Sequence, residues 1–415
     1  EKDGKTYRRE EDTFDTWFSS GQWPYVVTDA LDPDSSLGKY YPTDFMETGT
    51  DLLRQWIARM IMLGLYRTDN VPFKTVYMHG MVLDEKNQKM SKSKGNVINP
   101  MDIVGEYGSD AMRIGIVAQR SPGQSQAFST ASVIAGRNFC NKLWNMARYI
   151  DSKASATDPH PPTPESPADH WVIRQLLEAS TEIGKLIDSY QYAEALDRMY
   201  HTIWDDVADW YIEASKQHAG QGMLAWVLET CLKIAHPFAP FVTETIWTAW
   251  QPDNSLLIRA SWPETIEYGE IAAANFDQIR ELVVETRFVA SELAGKQTML
   301  YENDTLIEDN RALIAHLARL EDITHADQPR GLRLAVPNRE AWLDVSEDIL
   351  YERQSKLELR LVKCRESVAR LQGRLANETY VNSAPPHLVE ETRTQLAEQL
   401  ALEKKLIQEL TVLED

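Results

Sequence analysis

Apolar residues near the start of the chain recur at helical spacing. They occupy positions 52, 53, 56, 57, 60 and 61, and Thr50-Asp51 in front of them offers a helix cap. Residues 13–50 have the pattern of loops and short strands, whereas residues 73–78 are rich in β-formers and predict a strand. This alternation of strand, helix and strand predicts a parallel α/β sheet. Binding loops in such sheets lie at the carboxyl ends of strands, which is where His79-Gly80 falls.

The middle of the chain has a helical pattern. Residues 131–149 and several long amphipathic segments within 169–250 predict an all-α bundle, and no strand pattern interrupts them. Residues 275–345 have a mixed pattern that defines no single element. The tryptophans of the bundle are interpreted as core residues. They are Trp171, Trp204, Trp210, Trp226 and Trp247.

The C-terminal residues carry a coiled-coil pattern. Apolar residues separated by seven, four, three, four, three and four positions are Leu350, Leu357, Leu361, Cys364, Val368, Leu371 and Leu375. After a break at 377–386, the spacing resumes at Val389, Leu396, Leu400, Ile407 and Leu410. The pattern predicts an antiparallel helical hairpin.

The amino-acid composition excludes several classes of protein. Hydrophobic residues make up 43% of 415 residues and charged residues 26%, which excludes a wholly disordered chain. No apolar run is long enough for a membrane span, and three distant cysteines (Cys140, Cys231, Cys364) indicate neither a disulfide framework nor a zinc site. We therefore expect a cytoplasmic protein. The net charge of −20 argues against indiscriminate nucleic-acid binding but leaves room for local basic patches.

One such patch lies on the first helix of the hairpin. Residues 350–374 carry seven basic and three acidic side chains, whereas residues 386–415 carry three basic and seven acidic ones. Six cations share one flank, here called the basic flank: Arg353, Lys356, Arg360, Lys363, Arg370 and Arg374. They either pair with the acidic second helix or face RNA, and both can hold at once.

A lysine-rich loop is the strongest local signal. Between Lys86 and Pro100 there are four lysines and no acid, and the string Lys-Met-Ser-Lys-Ser covers residues 89–93. Glycine, serine and asparagine make the loop flexible, so its ammonium groups could close on a polyphosphate. By composition alone, a solvated turn is the simpler interpretation.

The exact sequence of the lysine loop favours a functional interpretation over a solvated turn. His79-Gly80 followed by Lys-Met-Ser-Lys-Ser resembles the second signature of class I aminoacyl-tRNA synthetases. Surrounding phrases resemble the valyl-tRNA synthetase family in the same order: Asp-Thr-Trp-Phe-Ser-Ser at 15–20, Thr-Gly-Thr-Asp at 48–51, Lys-Leu-Trp-Asn at 142–145, and His-Pro-Phe-Ala-Pro-Phe at 236–241. Isoleucyl relatives share the lysine loop, and Arg54 resembles their sequences. The 15–20 phrase and the terminal hairpin favour the valyl family.

The resemblance implies that valine and ATP form valyl-adenylate and pyrophosphate, with Mg²⁺ accompanying ATP, before the aminoacyl group passes to tRNA(Val). Lys92 would bind the triphosphate, Lys89 would assist, and Ser91 and Ser93 would hold the closed loop. We expect no protein-bound metal. The other adenylate residues it implies are Gly49, Asp51, His79 and Gly80, for which a plain helix cap (Asp51) and a structural histidine (His79) are the alternatives.

An aliphatic amino-acid pocket is implied at Trp17, Leu52 and Trp56, which could also be ordinary core. Such a pocket discriminates by only about 1–3 kcal/mol, so excluding threonine calls for a separate editing site. Neither an editing insertion nor the first class I signature (His-Ile-Gly-His type) is found in this sequence. The chain therefore resembles the C-terminal part of such an enzyme, and we expect it to be inactive alone.

The predicted fold is multidomain: a partial α/β Rossmann-like catalytic half, an all-α anticodon-binding bundle, a small mixed linker region and a C-terminal antiparallel coiled coil. The predicted domains are residues 1–85 (catalytic half), 86–130 (stem-contact segment with the lysine loop), 131–275 (bundle), 276–345 (linker region) and 346–415 (arm). The predicted RNA contacts are Lys94, Arg137, Lys142, Arg353, Arg360, Lys363 and Arg370. A monomer without membrane contact is expected. A non-catalytic tRNA-binding module, an isoleucyl-type fragment and a coiled-coil scaffold are the alternatives.

Overall fold

The computed structural model describes residues 3, 8–118, 123–155, 162–218, 220–251, 255–328, 330–377, 380 and 385–414. At 92, 218, 386–387, 408–409 and 411–414 it describes the backbone only. The described chain is mostly helical, with a few short strands. It divides into two compact units. Unit 1 comprises 1–159, 175–206 and 225–265, and unit 2 comprises 160–174, 207–224 and 266–415.

The α-helices are α1 (Thr16–Ser20), α2 (Trp23–Val27), α3 (Ala58–Thr68), α4 (Pro100–Tyr107), α5 (Ser109–Val117), α6 (Thr130–Asp151), α7 (Pro167–Asp188), α8 (Tyr192–His201), α9 (Ile212–His218), α10 (Gln221–Ala235), α11 (Pro240–Trp250), α12 (Glu270–Ala290), α13 (Thr305–Asp309), α14 (Arg311–Ala318), α15 (Glu347–Ala376) and α16 (Pro386–Glu414). The strands are β1 (Thr43–Gly49), β2 (Phe73–His79), β3 (Val82–Leu83), β4 (Gln126–Ala127), β5 (Thr298–Tyr301), β6 (Asp322–His325), β7 (Leu332–Arg333) and β8 (Ala341–Leu343). π-Helical turns span Leu53–Ile57 and Thr202–Tyr211, and 3₁₀ turns include Thr50–Leu52 and Lys92–Lys94.

A parallel β-α-β unit opens unit 1. β1 pairs with β2 from Thr43↔Phe73 to Gly49↔His79, so both strands end at the same edge. The apolar side of α3 covers one sheet face, where Met46 packs with Ile57 and Met60. The alternation predicted from the sequence is thus present. The helix predicted to begin after the Thr50-Asp51 cap begins later, at Ala58, because a 3₁₀ turn and a π turn precede α3.

A buried carboxylate joins α5 to α11 within unit 1. Asp110 is 6% exposed, and its two oxygens accept the backbone N–H groups of Phe241 (3.2 Å) and Val242 (2.6 Å). These amides belong to the first turn of α11, where no helical carbonyl is available to them. Arg113, one turn further along α5, donates to the carbonyl of Phe238 at 3.3 Å. The His-Pro-Phe-Ala-Pro-Phe phrase therefore ties the bundle to the segment that follows the lysine loop.

We expect Asp110→Asn to lower the free energy of unfolding by about 1–3 kcal/mol, because the amide keeps one acceptor oxygen for two backbone N–H groups and loses the negative charge at a helix N-terminus. Urea denaturation followed by circular dichroism measures this loss. Asp44→Asn is the matched control, since the Asp44 side chain is 96% exposed. Equal midpoints for the two variants would contradict the assigned role of Asp110.

Unit 2 resolves the segment that the sequence left undefined. Its four-stranded sheet has the order β6-β5-β8-β7, with β5 parallel to β6 and antiparallel to β8. Within the same unit, Asp277 on α12 accepts from the indole of Trp171 (2.9 Å) and from Arg174 (2.6 Å). Burial of Met299 and Leu343 gives this small sheet a core of its own.

The two C-terminal helices pack side by side in opposite directions. Cys364 lies 3.3 Å from the carbonyl of Gln399, whereas the Tyr380 hydroxyl donates to the carbonyl of Leu388. Five predicted seam residues of α15 are buried: Leu357, Leu361, Cys364, Val368 and Leu371. On α16 the predicted pattern is partly wrong: Leu400 and Ile407 are 43% and 40% exposed, and Leu406 is buried at 1%. The seam of α16 is therefore shifted by one residue at this point.

Candidate functional site

The carboxyl ends of β1 and β2 bring the first predicted residues together. His79 stands opposite Gly49 in the register, and its Nε2 lies 3.1 Å from Oε1 of Glu47. Its Nδ1 lies 2.8 Å from the carbonyl oxygen of Gly80. Both ring nitrogens therefore have a partner, which fixes the plane of the imidazole at the strand end. Glu47 was not among the predicted residues, although its position two residues before Gly49 in a strand places it on the same face.

Two glycines at the strand ends lie very close to neighbouring groups. A Cβ on Gly49 would come within 2.7 Å of the Asp51 carboxylate. One on Gly80 would overlap the carbonyl oxygen of Gln124 at 1.8 Å. At Gly80 the neighbour is backbone, so only glycine fits, whereas at Gly49 it is the end of the half-exposed Asp51 side chain, which can turn away.

Asp51 connects the strand ends to the lysine loop. Its Oδ2 lies 3.8 Å from the Nζ of Lys89, and both side chains are more than half exposed. The interpretation of Asp51 as a plain helix cap is wrong, because neither the 3₁₀ turn nor the π turn that begins there has a side-chain cap. The Asp51 carboxylate instead lies beside the ammonium group of Lys89 in the loop.

A polar network closes the base of the loop. The Asn96 amide donates to Oδ2 of Asp84 at 2.7 Å, and its oxygen accepts the N–H of Ser91 at 2.9 Å. Asp84 also accepts the N–H of Gln88 at 2.7 Å. The hydrogen bond from Asn96, followed by that from Gln88, lowers the pKa of Asp84 below its ordinary value. Neither Asn96 nor Asp84 was among the predicted site residues, because the two partners are twelve residues apart in the chain.

The remaining loop residues are placed as follows. The hydroxyls of Ser91 and Ser93 lie 3.2 Å apart, which ties the two predicted serines to each other. Lys92 and Lys94 belong to the 3₁₀ turn Lys92–Lys94, and Lys94 is exposed. The Lys92 side chain lies outside the described part of the chain. Gly95, directly before Asn96, has a φ of +66°, a left-handed conformation that glycine adopts without strain.

Asn96→Ala should raise the hydrogen-exchange rate of the Ser91 amide about tenfold, because it removes the acceptor of that N–H and opens the loop base. Hydrogen exchange over residues 84–96 measures this. Gln88→Ala serves as the matched control in the same loop, since the Gln88 bond to Asp84 uses its backbone. Unchanged protection of Ser91 in Asn96→Ala would show that the network does not hold the loop.

The predicted pocket residues are half-buried. The indole N–H of Trp56 donates to the carbonyl of Ser20 at 3.1 Å, which ties the π turn to α1. The guanidinium of Arg59 lies 6.0 Å from the ring of Trp17 on the same helix α1. Leu52 belongs to the 3₁₀ turn that follows β1. Trp56 also packs against the buried cluster of Met46, Ile57, Met60 and Phe73, so the pocket role of these residues stays a prediction beside the core interpretation.

Predicted RNA contacts in unit 1 stack on aromatic rings. Arg137 lies over the ring of Tyr107 at 5.8 Å, and Lys142 lies over that of Trp204 at 4.6 Å. Such contacts keep the cationic heads near the surface while their stems pack.

The basic flank of α15 is divided by burial. Arg353 is 8% exposed, and its guanidinium lies 2.5 Å from Glu292, so this predicted RNA contact faces a carboxylate within unit 2. Arg360, half exposed, lies 3.9 Å from the same carboxylate. Lys363 and Arg370 are exposed. Among the described side chains, the ion pair that crosses from α15 to α16 joins Arg365 to Glu403 at 2.9 Å, and Arg365 is not on the basic flank.

Within the described ranges, no group of three or more histidine, cysteine or acidic side chains is arranged to hold a metal ion. None of the helices described has the length and apolar content needed to cross a membrane.

Three families match successive parts of the chain. Residues 1–129 match the family described as tRNA synthetases class I (I, L, M and V). Residues 169–299 match the anticodon-binding domain of tRNA ligase, and residues 348–414 match the valyl tRNA synthetase tRNA binding arm.

The sequence is similar to curated proteins named valine--tRNA ligase. The one from Mycolicibacterium paratuberculosis is 34% identical over 93% of this chain and 47% of its own length. The one from Streptomyces avermitilis is 35% identical over 95% of this chain and 47% of its own length. The chain therefore spans about half the length of the curated relatives it matches.

A solved structure has a similar fold. It is the ternary complex of Agrobacterium radiobacter K84 agnB2 LeuRS with tRNA and LeuAMS, with a TM-score of 0.53 and 22% identity. The match covers 71% of this chain and 35% of that one. At this identity, the likeness concerns the fold alone.

Proposed function

Since the chain belongs to the valyl-tRNA synthetase family, we propose that it supplies the lysine loop, part of the valine and adenylate site, and the tRNA-binding regions of a valine--tRNA ligase. In that reaction the carboxylate of valine attacks the α-phosphate of ATP. The bond to the β-phosphate breaks, and pyrophosphate leaves with its electron pair. The ribose hydroxyl at the 3′ end of tRNA(Val) then displaces AMP from the valyl-adenylate.

The proximity of Lys89 to Asp51 carries this proposal. Their charged atoms lie 3.8 Å apart, so the loop that supplies the cations stands beside the carboxyl ends of two parallel strands. Ligands of open α/β sheets bind at such strand ends. An ammonium group beside the cleft can stabilise negative charge that builds on a triphosphate. The Asp51 carboxylate would accept hydrogen bonds from the ribose hydroxyls, and His79-Gly80 would flank the adenine.

The half-buried indoles would form the amino-acid side of the site. Trp17 and Trp56, with Leu52, offer an apolar wall suited to the valine side chain. The magnesium ion would enter with ATP. These residues chiefly position reactants and stabilise charge; the covalent chemistry belongs to valine, ATP and tRNA.

The bundle and the arm would bind tRNA(Val). Lys94, Arg137, Lys142, Arg360, Lys363 and Arg370 remain the proposed contacts, with the two helices 347–376 and 386–414 acting as a coiled-coil arm. Arg353 has a different role in this proposal, because its buried pair with Glu292 anchors the base of the arm.

A second candidate function is a non-catalytic tRNA-binding module. The exposed cations of the basic flank favour it, because tRNA binding needs neither ATP nor the lysine loop. The two candidates differ in whether the loop at 89–93 takes part in chemistry.

Valine-dependent exchange of pyrophosphate into ATP tests the proposal. The chain alone should show none, because it carries no first class I signature. Adding a polypeptide from a valine--tRNA ligase relative that carries that signature should restore exchange; this combination is called the reconstituted pair. Exchange by the pure chain would contradict the proposed division of the site. tRNA binding by a reconstituted pair that shows no exchange would favour the non-catalytic module.

A further inference from the structure

A basic cleft in unit 2 takes no part in the proposed function. It has a volume of about 540 Å³ and lies between α9, α12 and the end of α14. Its charged and titratable lining residues are Glu213, Arg287, Lys296, His316 and Arg319. Three permanent cations and one carboxylate therefore line the cleft, and the carboxylate of Asp209 acts on Arg287 from outside this lining, in a chain whose net charge is −20. Clefts of this kind concentrate anions, because apolar walls weaken the screening of the charges that line them.

The carboxylate in the cleft lining already has cationic partners. Glu213 accepts from the Nζ of Lys216 at 2.6 Å, and its second oxygen lies 3.8 Å from Nε2 of His316. Glu213 therefore divides its charge among these partners and Arg287, on which it also acts. The cleft keeps an excess of positive charge that an anion would neutralise.

Arg287 is fixed in an orientation suited to an oxyanion. Its Nε donates to the carbonyl of Leu317 at 2.8 Å, and its guanidinium lies over the Trp210 ring at 5.4 Å. Among the described residues, no acceptor is found for its two Nη groups, so one edge of the guanidinium is available. Burial, and after it the charge of Arg319, lowers the pKa of Arg287 from its ordinary value. The charge of Arg319 opposes that of Arg287, whereas the carboxylates of Glu213 and Asp209 favour it; an anion between the two arginines would reduce their repulsion further.

We propose that this cleft binds a phosphate group, held by the free edge of Arg287 and by the ammonium and guanidinium groups of Lys296 and Arg319. An arginine edge presents two parallel N–H donors, which match the spacing of two phosphate oxygens. The phosphate belongs either to an RNA backbone or to a small phosphate compound, and the chemistry of the cleft suits both. The inference does not rest on the proposed function, because none of these residues belongs to the site at 49–96.

Calorimetric titration of the full chain with inorganic phosphate and with pyrophosphate tests the site. The double variant Lys296→Gln/Arg319→Asn should weaken binding at least tenfold. Asparagine is chosen because Arg319 has a φ of +59°, which asparagine tolerates. Arg287→Lys keeps the charge but removes the paired donors, and it should weaken binding as well. Arg330→Gln, an exposed arginine of unit 2 that pairs with Asp344, is the matched control and should bind as the unaltered chain does.

Titration with total tRNA at several salt concentrations identifies the source of the phosphate. If the cleft holds RNA backbone, the double variant should also lower the slope of log K against log salt by about one. If tRNA binding is unaltered while phosphate binding is lost, the ligand is a small phosphate compound. The proposal is overturned if the unaltered chain binds neither phosphate nor pyrophosphate, or if the double variant binds them equally well.

Discussion

Replacing Lys92 by methionine should lower valine-dependent pyrophosphate exchange in the reconstituted pair about 100- to 1,000-fold. Methionine keeps much of the length of the side chain and removes its charge. Negative charge builds on the triphosphate as the bond to the β-phosphate breaks, so an ammonium group matters most at that moment. The loss should therefore appear in kcat, with a smaller change in the KM for ATP.

Lys89→Met should reduce the same rate less, because Lys89 assists and its Nζ is shared with Asp51 at 3.8 Å. Lys86→Met is the matched control, since Lys86 is an exposed lysine near the start of the same loop. Pyrophosphate exchange at saturating ATP and valine ranks the three variants. Equal rates for Lys92→Met and Lys86→Met would show that the loop does not bind the triphosphate, and the catalytic part of the proposal would fail.

The β-α-β unit shows which structural features a local sequence pattern can predict. A strand was predicted at 73–78 and is found at Phe73–His79, because β-branched and aromatic residues between proline and glycine favour one local structure. The π turn Leu53–Ile57 was not predicted. Its apolar residues have the spacing of an ordinary helix, and the wider turn is stabilised by tertiary contacts such as that of Trp56 with Ser20.

In residues 276–345 the local sequence pattern does not predict the secondary structure. The strands β5–β8 are two to four residues long, too short for an alternation to be visible. Their pairing joins Met299 to Ile323 on one side and to Leu343 on the other. The partners are far apart in the sequence, so only the folded chain defines the sheet.

The burial and contacts of single residues also depend on partners that are distant in the sequence. The tryptophans of the bundle were all predicted as core, yet Trp171 is fully buried whereas Trp204 and Trp210 are half-buried. Cations lie over the rings of all three. Arg353 and Lys363 likewise share a flank in the sequence. Glu292 captures only the first of the two, and nothing local in the sequence indicates that choice.

Changing Arg360, Lys363 and Arg370 together to glutamate should weaken tRNA binding about 100-fold at 0.15 M salt. Each cation that neutralises a phosphate releases counterions and adds about 0.9 to the slope of log K against log salt. Losing three such contacts should therefore lower that slope by about two to three. Filter binding of total tRNA at several salt concentrations measures both quantities.

Two further variants separate RNA contact from stability of the arm. Arg360 lies 3.9 Å from Glu292, so its reversal also introduces repulsion at the base of the arm. The double variant Lys363→Glu/Arg370→Glu leaves that pair intact and should still lose about two-thirds of the change in slope, because two of the three phosphate contacts are gone. A control with Arg330, Arg393 and Lys404 changed to glutamate alters the net charge equally away from the basic flank. If the control and the flank variant bind tRNA equally, the flank cations serve contacts within the chain, and the arm must meet RNA through another surface.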